Sequence, residues 1–241
     1  KLTVHGLMLR GVEALARWRH PQKGNISPGV FIPLAERHGL IDTLTRSLLE
    51  QAFKHKRAWQ HLGMRFNLAF NLSPLSLADA EIVDWLCAMA EQYDIPANEV
   101  TFEITENALL GELASAIRTL ARLRLKGFHI SIDDYGTGFA NAQQLSRVPA
   151  TELKIDRSLV NRAAARPQQK TIFASTVELA KKLNLSTVAE GVETEEDFKI
   201  LLELGVDLVQ GFYFSKPLFP DDLLVWIKTG LSELRRTREL K

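Results

Sequence analysis

Cysteine is almost absent: Cys87 stands alone among 241 residues. An internal disulfide is impossible, and a cysteine-rich zinc site cannot be built. No apolar run approaches the roughly 18 residues of a membrane span. An excess of one charge is missing too. Lys and Arg number 30 against 29 Asp and Glu, a net +1. That excludes an electrostatically driven coat for a nucleic-acid polymer. No Gly-x-Ser-x-Gly elbow and no phosphate-binding P-loop occurs. The histidines (His5, His20, His38, His55, His61 and His129) show no metal-ligand spacing. Gly136 and Gly138 lack a third glycine at position 141, so they are not a dinucleotide fingerprint. What is present is ordinary: 46% hydrophobic and 24% charged residues. This composition describes a soluble globular domain with a large core, and the length suits a single α/β barrel. The chain begins at Lys1 rather than Met, which reads as a piece of a longer protein. The reading is of a cytoplasmic domain, whether or not its parent carries a membrane anchor.

Short apolar runs rich in β-branched residues recur at 7–12, 65–72, 99–104, 128–132, 152–155, 186–189 and 206–209. Each is bounded by polar or glycine positions, as buried strands are. Helical patterns lie between them at 42–62, 77–93, 110–126, 169–183 and 195–204. The second follows a capping-box-like Ser76 and Asp79, and the third and fifth end at Gly127 and Gly205. Alternation of this kind marks a mostly parallel sheet. An eighth strand is available at Lys1–Val4. His5-Gly6 then makes a hairpin, so the first strand runs antiparallel to the second. The expectation is a TIM-barrel-like (β/α)8 barrel over residues 1–230 with one antiparallel strand, clipped at its N-terminus. Residues 231–241, with Arg235, Arg236, Arg238 and Lys241, read as a basic tail.

The informative feature is where polar groups fall. Glu13, Asn71, Glu103, Asp133-Asp134, Lys154, Asp156, Glu190 and Gln210 each close an apolar run, about one βα unit apart from Asn71 onward. In a parallel barrel those ends share one rim, where active sites sit. Any single acid there could be a helix cap, and Asp133-Asp134 ahead of Gly136 could be turn chemistry. A ring of them is different. Facing carboxylates repel, so their pKa values rise or cations neutralise them. An oxygen-only ring favours Mg²⁺, Mn²⁺ or Ca²⁺. Two such ions could activate water and clamp a phosphodiester.

These residues sit in recognisable words. Glu13-Ala14-Leu15-Ala16-Arg17-Trp18 resembles the signature of the EAL domain, the cyclic di-GMP phosphodiesterase family. Asn71-Leu72-Ser73, Glu103-Ile104-Thr105-Glu106, Asp133-Asp134-Tyr135-Gly136-Thr137-Gly138, Leu153-Lys154-Ile155-Asp156, Ala189-Glu190-Gly191-Val192-Glu193 and Val209-Gln210-Gly211-Phe212 resemble its further blocks, in order. The likeness covers roughly residues 1–228.

The resemblance implies a barrel with one antiparallel strand and hydrolysis of cyclic di-GMP to linear pGpG with two Mg²⁺ or Mn²⁺ ions. Ca²⁺ is expected to bind yet inhibit if the site needs the tighter geometry of the smaller ions. By motif, Glu13, Asn71, Glu103 and Asp133 would hold one ion, and Asp133, Asp134 and Glu190 the other. Glu190 would also be the general base. Lys154 would position the attacking water and Asp156 would support it. Leu15 and Arg17 would meet the dinucleotide, with Gln210, Glu193 and Pro217 on its far side. Glu106 would anchor the loop from Tyr135 to Asn141, which in this family couples metal binding to a homodimer contact. An upstream regulatory domain would belong to the parent chain. The family's Tyr-Gln-Pro ahead of Lys1 is absent, and its loop Ser-Ser is replaced by Ala140-Asn141. Other readings are a catalytically silent cyclic di-GMP receptor, and a metal barrel acting on another phosphate ester.

Overall fold

The computed structural model describes residues 1–79, 81–110, 113–138, 142–163 and 166–239. The first strands are β1 (Leu2–Thr3) and β2 (Gly11–Ala14), followed by an outlying hairpin, β3 (Trp18–His20) and β4 (Gly24–Ile26). Two helices, α1 (Pro28–Arg37) and α2 (Ile41–His61), lead to β5 (Asn67–Asn71). Regular alternation follows: α3 (Ile82–Gln92), β6 (Val100–Thr105), α4 (Leu113–Leu125), β7 (His129–Tyr135), α5 (Ala142–Arg147) and β8 (Glu152–Ile155). The chain then forms α6 (Arg157–Ala163), α7 (Pro167–Lys182), β9 (Ser186–Ala189), α8 (Glu195–Leu204), β10 (Leu208–Val209), α9 (Pro220–Lys228) and α10 (Gly230–Glu239).

Eight strands form one sheet in the order β1-β10-β9-β8-β7-β6-β5-β2. Every pairing is parallel except β1 with β10. The ends of the sheet meet through β1. Leu2 bridges Leu9 in antiparallel fashion, and the Arg10 and Gly11 N–H groups donate to the Lys1 carbonyl. This is the expected TIM-barrel-like arrangement, nearly closed by its one antiparallel strand. The parallel strands are buried on both faces, as the β-branched runs require. Apolar side chains between wall and helices form two clusters, one around Phe53, Leu86 and Phe102, the other around Phe173, Phe198 and Val209. Leu231 of α10 belongs to the second, and Arg235 donates to the Leu7 carbonyl. No described helix is long and apolar enough to cross a membrane.

Two local expectations shift. The run at 7–12 becomes a strand only from Gly11, because the turn is wider than His5-Gly6. Gly6 and Leu7 both take positive φ (80° and 46°), and the Thr3 N–H bonds the Met8 carbonyl. The expected helix from 77 begins at Ile82, after a 3₁₀ turn at Ser76–Ala78. Ser76 does not cap it: its hydroxyl donates to Asp42 at 2.6 Å. The genuine capping box is Thr194 with Asp197, at the start of α8.

Candidate active site

The rim at the C-terminal ends of the parallel strands gathers the polar residues in space. Glu13 lies in β2, Asn71 ends β5, Glu103 lies in β6 and Lys154 in β8. Asp133 and Asp134 lie inside β7, not after it, where the pairing with β8 shifts register. Asp134 has φ 56°, a left-handed conformation that Asp tolerates better than most residues. Glu190 and Gln210 directly follow β9 and β10.

Lys154 is the centre of this group. Its ammonium lies 2.9 Å from Glu103, Asp133 and Glu190 and 3.4 Å from Glu13, with the side chain 1% exposed. Burial works against its charge, but the carboxylates outweigh burial and hold its pKa well above the usual value. Glu13 accepts from Asn71 Nδ2 and Gln210 Nε2, each at 2.8 Å. Burial would raise its pKa, yet Lys154 and these two donors bring it to about 2. The other acids move upward. Burial takes Glu103 to about 7 against the pull of Lys1 and Lys154. Burial also takes Glu190 to about 8, against Lys154 and helped by Asp133. Asp134 is raised by burial, then by Asp133 and Asp156. The ammonium groups of Lys154 and Lys1 do not neutralise this ring of five acids.

The oxygens fall into two groups. One oxygen each from Glu13, Glu103 and Asp133 lie within 4.8 Å of one another, and so do those of Asp133, Asp134 and Glu190. Asp133 is common to both, and Asn71 touches the first through Glu13. The donors are all oxygen, which suits hard divalent cations. Gln210 Oε1 is buried with no hydrogen-bond partner, so an acceptor stands ready beside them. The residues fit two such ions.

A cleft of about 790 Å³ opens over this floor. Leu15, Arg17, Glu193, Gln210 and Pro217 all line it. Leu15 and Arg17 are exposed on the loop after β2. Asp156 also faces the cleft, with one carboxylate oxygen accepting from the Ser158 N–H at the start of α6. Glu106 lies outside the cleft and is buried. It accepts from the N–H groups of Gly136 and Gly138 at 2.8 and 3.1 Å, holding the loop after β7. Residues 139–141, with the Ala140-Asn141 replacement, lie outside the described residues.

Sequence reasoning missed three features. Lys1 and Glu152 form a partly buried ion pair below the rim. Gly211 follows Gln210 because a Cβ there would sit 2.2 Å from the Val192 carbonyl. Gly191 follows Glu190 with φ 63°, where a Cβ would meet that of Arg157 at 2.3 Å. The signal for the glycines was their position directly after site residues. The ion pair had none, because it forms only when the barrel closes.

The EAL domain family pattern matches residues 4–217. Among curated proteins of Pseudomonas aeruginosa, the cyclic di-GMP phosphodiesterase RocR is 35% identical over 218 residues, covering 90% of this chain and 56% of RocR. The bifunctional diguanylate cyclase/cyclic di-GMP phosphodiesterase MucR is 40% identical over 224 residues, covering 92% of this chain and 33% of MucR. The chain thus spans about half or less of these relatives. A solved structure described as the PaMucR phosphodiesterase in complex with c-di-GMP superposes with TM-score 0.85 at 39% identity, covering 92% of this chain and 90% of that one. The EAL enzyme Bd1971, bound to cAMP and cyclic-di-GMP, gives 0.88 at 32% identity, covering 94% and 62%. In fold and along most of its length, the chain belongs to the EAL domain family.

Proposed function

We propose that the chain is a cyclic di-GMP phosphodiesterase that uses two divalent ions, Mg²⁺ or Mn²⁺, to form linear pGpG. The observation that carries this is the pair of carboxylate groups sharing Asp133 around Lys154. In this reading Glu13, Asn71, Glu103 and Asp133 hold one ion, and Asp133, Asp134 and Glu190 the other. When bound, the ions supply charge that acidifies water and stabilises the phosphoryl oxygens in the transition state.

The chain's own groups do the rest. Glu190, which directly follows β9 at the rim beside Lys154, is placed to take the proton of the attacking water. Lys154 orients that water, and Asp156 supports the position from the start of α6. The water oxygen bonds to phosphorus, the P–O3′ bond breaks, and the leaving oxygen gains a proton. Arg17 offers a planar fork that matches phosphate oxygens. Leu15, Gln210, Glu193 and Pro217 contact the dinucleotide along the cleft, and Glu106 holds the loop through which a homodimer contact would be coupled. Ca²⁺ occupies the acids but inhibits, because it prefers longer, more irregular coordination. A parent chain would carry an upstream regulatory domain, a reading compatible with the greater length of the relatives.

The test is turnover of cyclic di-GMP with Mg²⁺, Mn²⁺ and Ca²⁺, with and without EDTA. Production of pGpG with the first two ions, abolished in Glu13→Ala, is the expected result. A folded chain that binds the dinucleotide in EDTA and never hydrolyses it would instead be a receptor.

A further inference from the structure

The charged ring does not end at the rim. It continues into the barrel through Lys1, whose ammonium lies 2.7 Å from Glu103 Oε1 and 2.5 Å from Glu152 Oε1. Lys154 holds the other oxygen of Glu103 at 2.9 Å. Glu103 and Glu152 are both register partners of Ser131, so they stand at one level of the wall on either side of β7. Lys1 comes from the opposite side of the ring, beside β1, and crosses the interior to reach both. The side chain of Lys1 is 4% exposed and that of Glu152 13%, so neither pair is a surface contact.

We infer that Lys1 and Glu152 are positioning residues for the proposed metal ligand Glu103, fixing its carboxylate from below while Lys154 fixes it from the rim. The inference rests on the two-ion reading of the site. A buried carboxylate held by one partner can still turn about its last torsion. One with each oxygen on a different ammonium cannot. Glu152 in turn keeps Lys1 in place by accepting from its ammonium at 2.5 Å: without that acceptor, the ammonium has only Glu103 to hold it and is free to swing away. Partners behind a metal ligand typically change metal affinity by about 10- to 100-fold. A purely electrostatic role predicts the reverse sign, since deleting a positive charge near a cation site tightens binding.

The experiment is calorimetric titration of the full chain with Mn²⁺, without substrate, beside thermal melts that establish folding. Lys1→Met is expected to weaken Mn²⁺ binding about 10-fold. Glu152→Ala should also weaken it, and Glu152→Gln, whose amide oxygen still accepts from Lys1, should restore most of the affinity. Lys1→Met binding Mn²⁺ as tightly as the parent, or more tightly, overturns the inference. So does Glu152→Gln behaving like Glu152→Ala. If Lys1→Met does not fold, the two Glu152 variants decide. An unaltered chain that binds no Mn²⁺ would sink the two-ion reading itself, whereas variants matching a Mn²⁺-binding parent would sink only this inference.

Discussion

Gln210 donates to Glu13 at 2.8 Å across a separation of 197 residues. Gln210 follows β10 and Glu13 lies in β2, and in the ring only β1 stands between those strands. The bond therefore spans the seam where the barrel closes. It joins a residue of the proposed substrate cleft to a proposed metal ligand, so closure of the fold and assembly of the site are one event.

Replacing Gln210 with Leu removes this donor from a charged acceptor. Such bonds contribute about 1.5–3 kcal/mol. The expected outcome is a fall of about 10-fold or more in kcat/KM, with a lower Tm, since the seam loses a tie. Steady-state kinetics and a thermal melt check it. Unchanged values would mean that Asn71 and Lys154 hold Glu13 unaided.

Lys154→Met should be severe and metal-sensitive. It leaves Glu13, Glu103, Asp133 and Glu190 facing one another without their shared ammonium. Breaking a buried pair costs about 3–5 kcal/mol. The variant is expected to melt well below the parent in EDTA, and the gap should narrow in Mn²⁺ as the ions supply the missing charge. Turnover should fall at least about 100-fold with loss of the water-positioning group. A melting gap that ignores Mn²⁺ would show that these acids take no ion.

The raised acids set a pH dependence. Glu103 and Glu190 titrate at about 7 and about 8 in the fold, above the ordinary 4.5. Groups raised in this way contribute stability that is complete below pH 4.5 and lost as pH climbs through 7 to 8. Glu13, at about 2, does the opposite: its contribution is present above 4.5 and lost as pH falls towards 2. In EDTA, Tm should therefore decline from about pH 5 to 8, and Mn²⁺ should flatten the decline. Melts across that range in both conditions test it.

How much of this was legible beforehand follows from locality. The acids could be read because each lies in the C-terminal part of a strand or just after it, and those parts share a rim whatever the helices do. The start of α3 could not. Ser76 had the right spacing for a cap, but its hydroxyl found Asp42, which is 34 residues away. Strand β2 began late because Thr3 and Met8 bond across a wider turn than the His5-Gly6 pair suggested. The Lys1–Glu103–Glu152 cluster joins the residue before β1 to two strands across the barrel interior, and no short-range pattern marks such a contact.

Glu106 offers a separable test. Its carboxylate receives the Gly136 and Gly138 N–H groups but contributes to neither carboxylate group at the rim. Glu106→Gln keeps an acceptor and loses the charge that strengthens both bonds. The expected result is a several-fold fall in kcat with Mn²⁺ affinity nearly intact, read by kinetics and metal titration together. Equal losses of metal binding and turnover would place Glu106 among the ligands instead.

Gly211→Ala asks whether the loops after β9 and β10 must touch. The Val192 N–H bonds the Gln210 carbonyl, and the Tyr213 N–H bonds the Val192 carbonyl, so the two loops are laced together at this point. A methyl at Gly211 would lie 2.2 Å from the Val192 oxygen and 2.3 Å from its nitrogen. Both are backbone atoms and cannot rotate away, so the loops must separate. Overpacking of this kind costs about 1–3 kcal/mol. Because Glu190 and Gln210 ride on these loops, separation also moves a proposed base and a proposed substrate contact. The variant should lose stability in urea denaturation and lose turnover beyond what its folded fraction explains. Gly191→Ala, strained by φ 63° and by Arg157, should behave alike. Loss of stability with full turnover per folded molecule would show that the loops carry these side chains without needing the contact.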